Sequence, residues 1–262
     1  VLNSLNQTGG TVNGKGGVAV CIAGAGIGSK GIYVQNVLTA SGGSLTGTGG
    51  TMGNELSSVG LQAGTISLSG TAQVTGIGGM VTTANIDTPV TVASSFASYP
   101  GDSIGVWISK SLSVDGSAVL TATGGTVKGT YEKAGQAMSV GLQVRSADGV
   151  TISGNGTVVA SGGESDYGNK GNSTSESSCG IYGEVPSLTI DGATVIATGG
   201  TVCTEETSSD YYTGGVSYGM YLPGASLILQ NDAKLTTTGG ENPNYSTDSL
   251  RPSYINDSYG AY

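Results

Sequence analysis

Histidine is absent from the chain, and cysteine, proline and charged residues are scarce: there are three Cys and six Pro, and 10% of residues are charged. Without histidine, the chain lacks the side chain that most often serves as a general acid or base near neutral pH. The cysteines, Cys21, Cys179 and Cys203, are too few and too scattered to indicate a disulfide framework or a zinc site. The sequence leaves open whether Cys179 pairs with Cys203.

Basic residues are the scarcest charged group. Nine Lys plus Arg against 18 Asp plus Glu give a formal net charge of −9. This acidic balance argues against partners such as nucleic acid or anionic lipid, which require a basic surface. No stretch approaches the length of about 18 apolar residues that crosses a bilayer, so we expect no membrane insertion. Residues that favour helices are also few, which argues against an α-helical protein.

Glycine and hydroxyl residues are in excess, with 48 Gly and 65 Ser plus Thr among 262 residues. The glycines form two series, a double glycine and a lone glycine followed by an apolar residue. Each series has a period of about 38 residues, which is typical of a repeat protein. The double glycines begin at positions 9, 49, 78, 124, 162, 199 and 239, and the lone glycines are Gly31, Gly60, Gly105, Gly141, Gly180, Gly219 and Gly260.

Each repeat has a block of fixed pattern and a segment of variable length. The block from the lone glycine through the double glycine has 20 to 23 residues, and the following segment has 9 to 25. Within the block, apolar and polar residues alternate as in half-buried strands. Turn residues such as Asp115-Gly116 and Asp191-Gly192 interrupt the alternation. The pattern predicts three short strands in each block and a variable loop after each Gly-Gly.

These features predict an all-β fold, a right-handed parallel β-helix (β-solenoid) of about six to seven coils with three short strands each. We expect residues 1–262 to form a single domain and, because the chain opens in the middle of a repeat, to be a fragment of a longer protein. The predicted inward residues are Ile32, Leu61, Val106, Leu142, Ile181 and Met220 in the first strand, Ile66, Leu112, Ile152, Ile190 and Leu229 in the second, and Leu45, Val74, Leu120, Val158, Val195 and Leu235 in the third.

A narrow, filled interior places any ligand site on the outer faces or in the loops. Two residues after each lone glycine lies a largely aromatic column, which we expect to face solvent beside a bare stripe of lone glycines. Sugar rings stack on aromatic faces, so this pattern favours a glycan-binding ridge, to which the loop residues Tyr211 and Tyr212 are added. The alternative is that the aromatic residues only stabilise the strands by stacking, or that loops cover them. The column is Tyr33, Gln62, Trp107, Gln143, Tyr182, Tyr221 and Tyr262.

Threonine forms a second outward pattern in the third strand. Pairs spaced Thr-x-Thr resemble the ladders of ice-binding proteins, but Ile77, Val159 and Ile196 interrupt them. Threonine is also simply a favoured outward residue of strands. The pairs are Thr46 and Thr48, Thr121 and Thr123, and Thr236 and Thr238.

Acidic residues cluster in two variable segments. Such clusters are weak candidates for Ca²⁺, which takes six to eight oxygen ligands, but no spacing here matches a defined calcium loop. Solvated loops are the simpler interpretation, so we expect no cofactor. The acidic residues are Glu164 and Asp166 with Glu176 in one segment, and Glu205, Glu206 and Asp210 in the next.

Catalysis finds little support in the residues. Glycoside hydrolysis requires two carboxylates about 5–9.5 Å apart, and the best pair, Asp148 and Glu184, lies near corners of adjacent coils with nothing around it to raise a pKa. Nucleophilic serine or cysteine schemes lack a base. We therefore expect a non-enzyme, with a polysaccharide lyase or glycoside hydrolase as the alternative.

The repeat resembles the β-helix repeats of large surface proteins of Gram-positive gut bacteria. The likeness is carried by Cys179-Gly180-Ile181-Tyr182, by Ser187-Leu188-Thr189-Ile190-Asp191-Gly192 and by Val195-Ile196-Ala197-Thr198-Gly199-Gly200. It implies an exported cell-surface or secreted protein of the adhesin or carbohydrate-binding type. Expected partners are a host or microbial glycan or surface protein and neighbouring domains of the same chain. A purely structural stalk remains the third interpretation.

Overall fold

The computed structural model describes residues 1–20, 28–53, 56–83, 101–130, 137–168, 177–203, 216–241 and 258–261. Within these ranges the secondary structure consists of 24 β-strands without a helix, as the composition predicts. Accordingly, no helix of sufficient length and hydrophobicity to cross a membrane occurs in the described ranges.

The strands are short and follow one another at every repeat. In chain order they are β1 (Leu2–Gln7), β2 (Thr11–Lys15), β3 (Ala19–Val20), β4 (Ser29–Ala40), β5 (Ser44–Thr48), β6 (Met52–Gly53), β7 (Ser58–Leu68), β8 (Gln73–Ile77), β9 (Val81–Thr83), β10 (Ser103–Val114), β11 (Val119–Thr123), β12 (Val127–Thr130), β13 (Met138–Arg145), β14 (Val150–Ser153), β15 (Thr157–Ser161), β16 (Ser165–Gly168), β17 (Ser177–Glu184), β18 (Ser187–Asp191), β19 (Thr194–Thr198), β20 (Val202–Cys203), β21 (Val216–Tyr221), β22 (Ser226–Gln230), β23 (Lys234–Thr238) and β24 (Ser258–Ala261).

Three parallel sheets run through the repeats. Sheet A has the order β1-β4-β7-β10-β13-β17-β21-β24, with β14, β18 and β22 paired beside it; sheet B has the order β2-β5-β8-β11-β15-β19-β23; and sheet C joins β3, β6, β9, β12, β16 and β20. Each strand pairs with the equivalent strands of the adjacent repeats. The prediction of a parallel, all-β repeat fold is confirmed, and the arrangement is consistent with a β-solenoid.

The strands are distributed differently from the prediction. The first two predicted strands of a block belong to one sheet, and in β4, β7 and β10 they are continuous. Sheet C consists of short strands directly after the double glycines, where the sequence predicted only loops. These positions carry apolar side chains that are buried, including Met52, Val81, Val127 and Val202. That apolar signal, two residues after the second glycine of these pairs, was available in the sequence.

The interior of sheets A and B is one continuous apolar cluster. The predicted inward residues of the central repeats, such as Leu61, Ile66, Leu120 and Leu142, are fully buried. Each such side chain contributes roughly 1.5–3 kcal/mol on burial. No single repeat encloses its own apolar residues, so stability comes from stacking. The turns follow the prediction as well, since Gly116 and Gly192 have φ angles of 69° and 76°.

A serine that is repeated two residues before every lone glycine closes the double-glycine corner. In each case the serine Oγ donates a hydrogen bond to the carbonyl oxygen of the second glycine, over distances of 2.6–3.0 Å. The same Oγ accepts the N–H of the second glycine in the next repeat, as Ser58 does from Gly79. We call this contact the Ser–Gly clasp. Its members are Ser29–Gly17, Ser58–Gly50, Ser103–Gly79, Ser139–Gly125, Ser178–Gly163, Ser217–Gly200 and Ser258–Gly240.

The clasp explains why both corner positions are glycine. A Cβ on Gly49 would lie 2.7 Å from the nitrogen of Gly79, and a Cβ on Gly50 would lie 2.6 Å from the Oγ of Ser29. Close approach of the backbones, rather than a positive φ, therefore excludes a side chain. The first corner also corrects the sequence alignment. It is Gly16-Gly17, whereas the predicted pair at positions 9 and 10 forms the turn between β1 and β2.

Candidate functional site

The aromatic column lies on the outer side of sheet A, with one residue in each of β4, β7, β10, β13, β17 and β21. Strand pairing places its members on successive rungs: Tyr33 opposite Gln62, Gln62 opposite Trp107, and Trp107 opposite Gln143. Gln143, Tyr182 and Tyr221 continue it. The register predicted from the sequence is confirmed for these six residues. Tyr262, like Tyr211 and Tyr212, falls outside the described residues.

The stripe beside this column is mostly apolar, which corrects the prediction of a bare glycine stripe. The lone glycines point inward. A Cβ on Gly105 would lie 2.6 Å from the carbonyl oxygen of Thr123 in sheet B. Because the lone glycine and the residue after it both face inward, the outward stripe is formed by the residues just before the lone glycines. In register these are Lys30, Val59, Ile104, Val140, Cys179, Tyr218 and Tyr259.

The two columns together make what we call the aromatic face, and it is less exposed than predicted. Tyr33, Gln62, Trp107 and Tyr221 are half-buried. Gln143 and Tyr182, which the sequence predicted to face solvent, are buried: Gln143 is 4% exposed and Tyr182 is 9% exposed. For these two residues the prediction is wrong. The reason is a second apolar cluster on this side of the sheet, separate from the interior, built from Val59, Ile104, Val140, Cys179 and Tyr182 with Trp107, Met138, Tyr218 and Tyr221 packed against them.

Aromatic rings stack along the later repeats of this face. The ring centroids of Tyr218 and Tyr221 are 4.7 Å apart, those of Tyr218 and Tyr259 are 5.6 Å apart, and those of Tyr182 and Tyr221 are 5.9 Å apart. At the other end, the Lys30 ammonium lies 4.3 Å from the centroid of the Tyr33 ring. Both kinds of contact stabilise the face itself, so stacking between coils, one of the two interpretations left open, does occur.

Glu184 belongs to a polar group at the edge of the aromatic face. The Arg145 guanidinium lies 2.7 Å from one carboxylate oxygen of Glu184, and the Tyr182 hydroxyl donates a 2.9 Å hydrogen bond to the other. Burial, reinforced by this hydrogen bond, raises the pKa of Tyr182. Of the candidate catalytic pair, Glu184 is held by Arg145 and Tyr182, and the backbone N–H of Asp148 donates a hydrogen bond to the Ser146 hydroxyl. A catalytic role of this pair stays a prediction.

Asp102 is a residue of this region that sequence reasoning missed. Its carboxylate accepts a 3.0 Å hydrogen bond from the backbone N–H of Met138 in the next repeat. The pKa of Asp102 is raised to about 6, chiefly by burial and to a lesser extent by the nearby Glu184, while the Met138 hydrogen bond and Arg145 oppose the shift. A carboxyl whose pKa is shifted by burial and by neighbouring charges makes this position a candidate functional residue. The sequence signal was weak, since Asp102 stands in a variable segment.

Two buried polar atoms on the aromatic face have no hydrogen-bond partner among the described residues. One is the Nε1–H donor of Trp107, and the other is the Oε1 acceptor of Gln62. The two residues are cross-strand neighbours in the same column. A buried group without a partner costs roughly 1–3 kcal/mol, so a polar group bound at either atom would stabilise this part of the face.

Metal and thiol chemistry find no support in the ranges that the structure covers. No group of three or more His, Cys, Asp or Glu there is arranged to hold a metal ion. The Glu164 carboxylate accepts a hydrogen bond from Thr126 at 3.5 Å, and Asp166 lies in β16, whereas Glu176, Glu205, Glu206 and Asp210 fall outside the described residues. Cys179 is a free, buried thiol, and burial raises its pKa.

The outer rows of sheet B are the remaining regular surface. Thr46, Thr75 and Thr121 lie on successive rungs, followed by Val159 and Ile196 before threonine returns. The interruptions fall where the sequence placed them.

For the chain as a whole, no family model, no curated protein and no solved structure matches. The aromatic face is therefore the feature from which a function is inferred.

Proposed function

We propose that the chain is a non-catalytic, extracellular adhesion module of a bacterial cell surface that binds a glycan on its aromatic face. In this proposal the three sheets wind as a right-handed parallel β-helix of about seven coils, one for each strand of sheet B. Residues 1–262 form one domain of a longer exported protein. The resemblance of the repeats to surface proteins of Gram-positive gut bacteria supports the location and the class.

The unpartnered Trp107 Nε1–H and Gln62 Oε1 carry the proposal. A sugar hydroxyl accepts one hydrogen bond and donates another, so one hydroxyl satisfies both atoms. Both atoms are shielded from solvent although the two side chains are half-buried, so binding requires the Gln62 amide to rotate outward. An acidic or basic ligand is disfavoured, because no charged group of the described residues bonds to this pair.

Rings flank this pair on the same column. Tyr33 lies one rung before Gln62 and Trp107 one rung after it. Rungs are about 4.8 Å apart, so two partly exposed rings separated by about 10 Å enclose an amide. The rings can stack on an uncharged sugar, and the amide between them can bond to its hydroxyl groups. The ligand site therefore centres on Tyr33, Gln62 and Trp107, with Tyr221 further along the column, rather than on buried Tyr182 and Gln143.

The test is binding to a glycan array, followed by calorimetry with the best ligand. We expect Trp107→Ala combined with Tyr33→Ala to weaken binding roughly tenfold or more, as loss of aromatic anchors does elsewhere. Trp107→Phe keeps a ring but removes the N–H donor, so it should weaken binding to an intermediate extent. Thr121→Ala, on the outer face of sheet B in the same repeat as Trp107, is the matched control and should bind like the unmodified chain.

Two results would contradict this function. If no glycan binds the unmodified chain, the structural stalk replaces the adhesin. If binding survives the double substitution, the ligand lies elsewhere. The polysaccharide-degrading alternative is addressed by the same samples, since shortening of bound oligosaccharides, detected by mass spectrometry, would show catalysis.

A further inference from the structure

Rings and amides alternate along the column of the aromatic face from β4 to β17. Tyr33, Trp107 and Tyr182 stand on every second rung, and Gln62 and Gln143 stand on the rungs between them. The register shifts between β4, β7 and β10 lie further along these strands, so the column itself is regular. With rungs about 4.8 Å apart, like side chains recur about every 10 Å.

Three successive members of this column are partly exposed. Tyr33, Gln62 and Trp107 are half-buried, and we call these three residues the open strip. On the next rung the buried side chain of Gln143 closes the column. The open strip therefore runs along the stack of rungs, across three strands, rather than along a single strand.

A polymer that matches the open strip needs the same two-step period. In an extended β-(1→4)-linked glycan, each sugar advances by a length close to the rung spacing of about 4.8 Å, and neighbouring sugars are turned over relative to each other. Every second sugar thus presents the same face to a ring, and the sugar between them presents hydroxyl groups to an amide. Chains with α-(1→4) or β-(1→3) linkages coil, so their sugars do not stay in step with the rungs.

We propose that the glycan bound by the aromatic face is an uncharged β-(1→4)-linked chain that lies along the stack, with one sugar on each rung of the open strip. This inference rests on the glycan binding proposed above and specifies its linkage and direction. Tyr33 and Trp107 contact the sugars on their own rungs. The sugar between them bonds through a hydroxyl group to the Gln62 Oε1 and the Trp107 Nε1–H, the two buried atoms without a partner among the described residues.

The surroundings of the open strip favour an uncharged chain. Val59 and Ile104, in β7 and β10, form a buried apolar border beside it, which matches the C–H groups of sugar rings. Lys30, the one lysine of this border, has its ammonium against the Tyr33 ring. The net charge of −9 on the whole chain repels acidic polysaccharides, since like charges oppose association.

Calorimetric titration of the 262-residue chain with oligosaccharides of one to three sugars tests the linkage. The probes are β-(1→4)-linked oligomers of glucose, mannose and N-acetylglucosamine, each compared with α-(1→4)- and β-(1→3)-linked isomers of the same sugar and length. We expect at least one β-(1→4) series to bind, with an affinity that rises about tenfold from two sugars to three as the second ring is engaged. Its linkage isomers should bind about tenfold more weakly.

Tyr33→Ala distinguishes an extended chain from a site for a single sugar. In this variant the trisaccharide should bind about tenfold less tightly, whereas the disaccharide, which Gln62 and Trp107 hold, should bind as before. Tyr33→Phe keeps the ring and should keep the preference for three sugars. Val37→Ala removes an exposed side chain from the same strand and should bind like the unmodified chain. Thermal melting of each variant establishes that it is folded.

The outcomes distinguish this inference from the proposed function. Equal affinities for linkage isomers, or for one sugar and three, would overturn the extended chain, and so would an array ligand without this linkage when no β-(1→4) series binds. In these cases loss of binding in the variant that combines Trp107→Ala with Tyr33→Ala would leave the proposed function standing. Equal losses for disaccharide and trisaccharide in Tyr33→Ala would overturn the placement of one sugar on each rung. If no glycan binds the unmodified chain, the inference and the proposed function both fail.

Discussion

Asp102 is half-buried beside the aromatic face, and its carboxyl group is affected by the charges of Glu184 and Arg145. Its pKa is raised from 3.8 to about 6, chiefly by burial. Unfolding returns the carboxyl to water and to its ordinary pKa. Between about pH 4 and pH 6 the unfolded chain has released this proton and the folded chain still binds it, so stability falls as the pH rises through this window. Below it, the contribution of Asp102 to stability is fully present.

The residue-scale prediction is that Asp102→Asn removes this dependence. Asparagine keeps the oxygen that accepts the Met138 N–H but cannot ionise. We expect the melting temperature of the unmodified chain to be higher at pH 4.5 than at pH 7.5, and the difference to shrink in the variant. The shift of about two pKa units corresponds to at most roughly 3 kcal/mol, which solvent around the carboxyl reduces. Asp148→Asn, in an exposed turn, controls for general relief of the negative net charge, and an equal effect of both variants would contradict the assignment.

Sequence reasoning succeeded for residues whose environment is local. Val106 and Trp107 were assigned correctly to opposite sides of their strand, because alternation with period two decides the side. Asp102 was missed because its neighbour Met138 comes from the next repeat, and the burial of Tyr182 was missed because Tyr221 covers it from the repeat after. A single block does not reveal contacts between adjacent blocks.

At the scale of single elements, the corner glycines fix how closely the sheets approach. Gly125 stands in the middle of the stack, and a Cβ there would lie 2.5 Å from the carbonyl oxygen of Gly78. Gly17 occupies the equivalent position in the first corner, where a Cβ would meet no atom of the described residues within 4 Å. The same substitution is therefore expected to have different effects at two equivalent corners.

Denaturant unfolding of Gly125→Ala and Gly17→Ala measures this difference. We expect Gly125→Ala to lower the free energy of unfolding by about 1–3 kcal/mol, because the added methyl group forces backbone apart as overpacking does. Gly17→Ala should stay within about 0.5 kcal/mol of the unmodified chain. Equal losses at both sites would show that glycine is required there for its own conformation rather than for close approach of neighbouring strands.

The elements themselves were predictable in type but not in grouping. The alternating apolar residues of each block identified β4, β5 and their equivalents. Whether the first two strands of a block run on in one sheet depends on the bend between them, which no single residue marks. The serine of the Ser–Gly clasp was visible in the sequence at a constant spacing, yet its role depends on a backbone carbonyl, which a sequence pattern does not display.

For the whole molecule, the repeats act as interchangeable layers. Val140 and Cys179 are partners on adjacent rungs, so deletion of residues 141–179 joins two equivalent positions and removes one whole repeat. We expect this variant to fold with a similar circular dichroism spectrum per residue and a lower melting temperature, because one interface between repeats is lost. Deletion of residues 141–160 removes only part of a repeat, shifts every later row, and should prevent folding. A folded partial deletion or an unfolded full one would refute this layered description.

The Ser–Gly clasp has a consequence for what the molecule can carry. It joins the two ends of each variable segment whatever the length, spanning eight positions from Gly50 to Ser58 and 24 from Gly79 to Ser103. Closing a segment three times longer costs only about 1 kcal/mol in chain entropy. New sequence grafted into such a segment after its short strand of sheet C leaves the buried residues of all three sheets in place. The molecule is therefore suited as a display scaffold, on which recognition sequences are exchanged without redesign of the core.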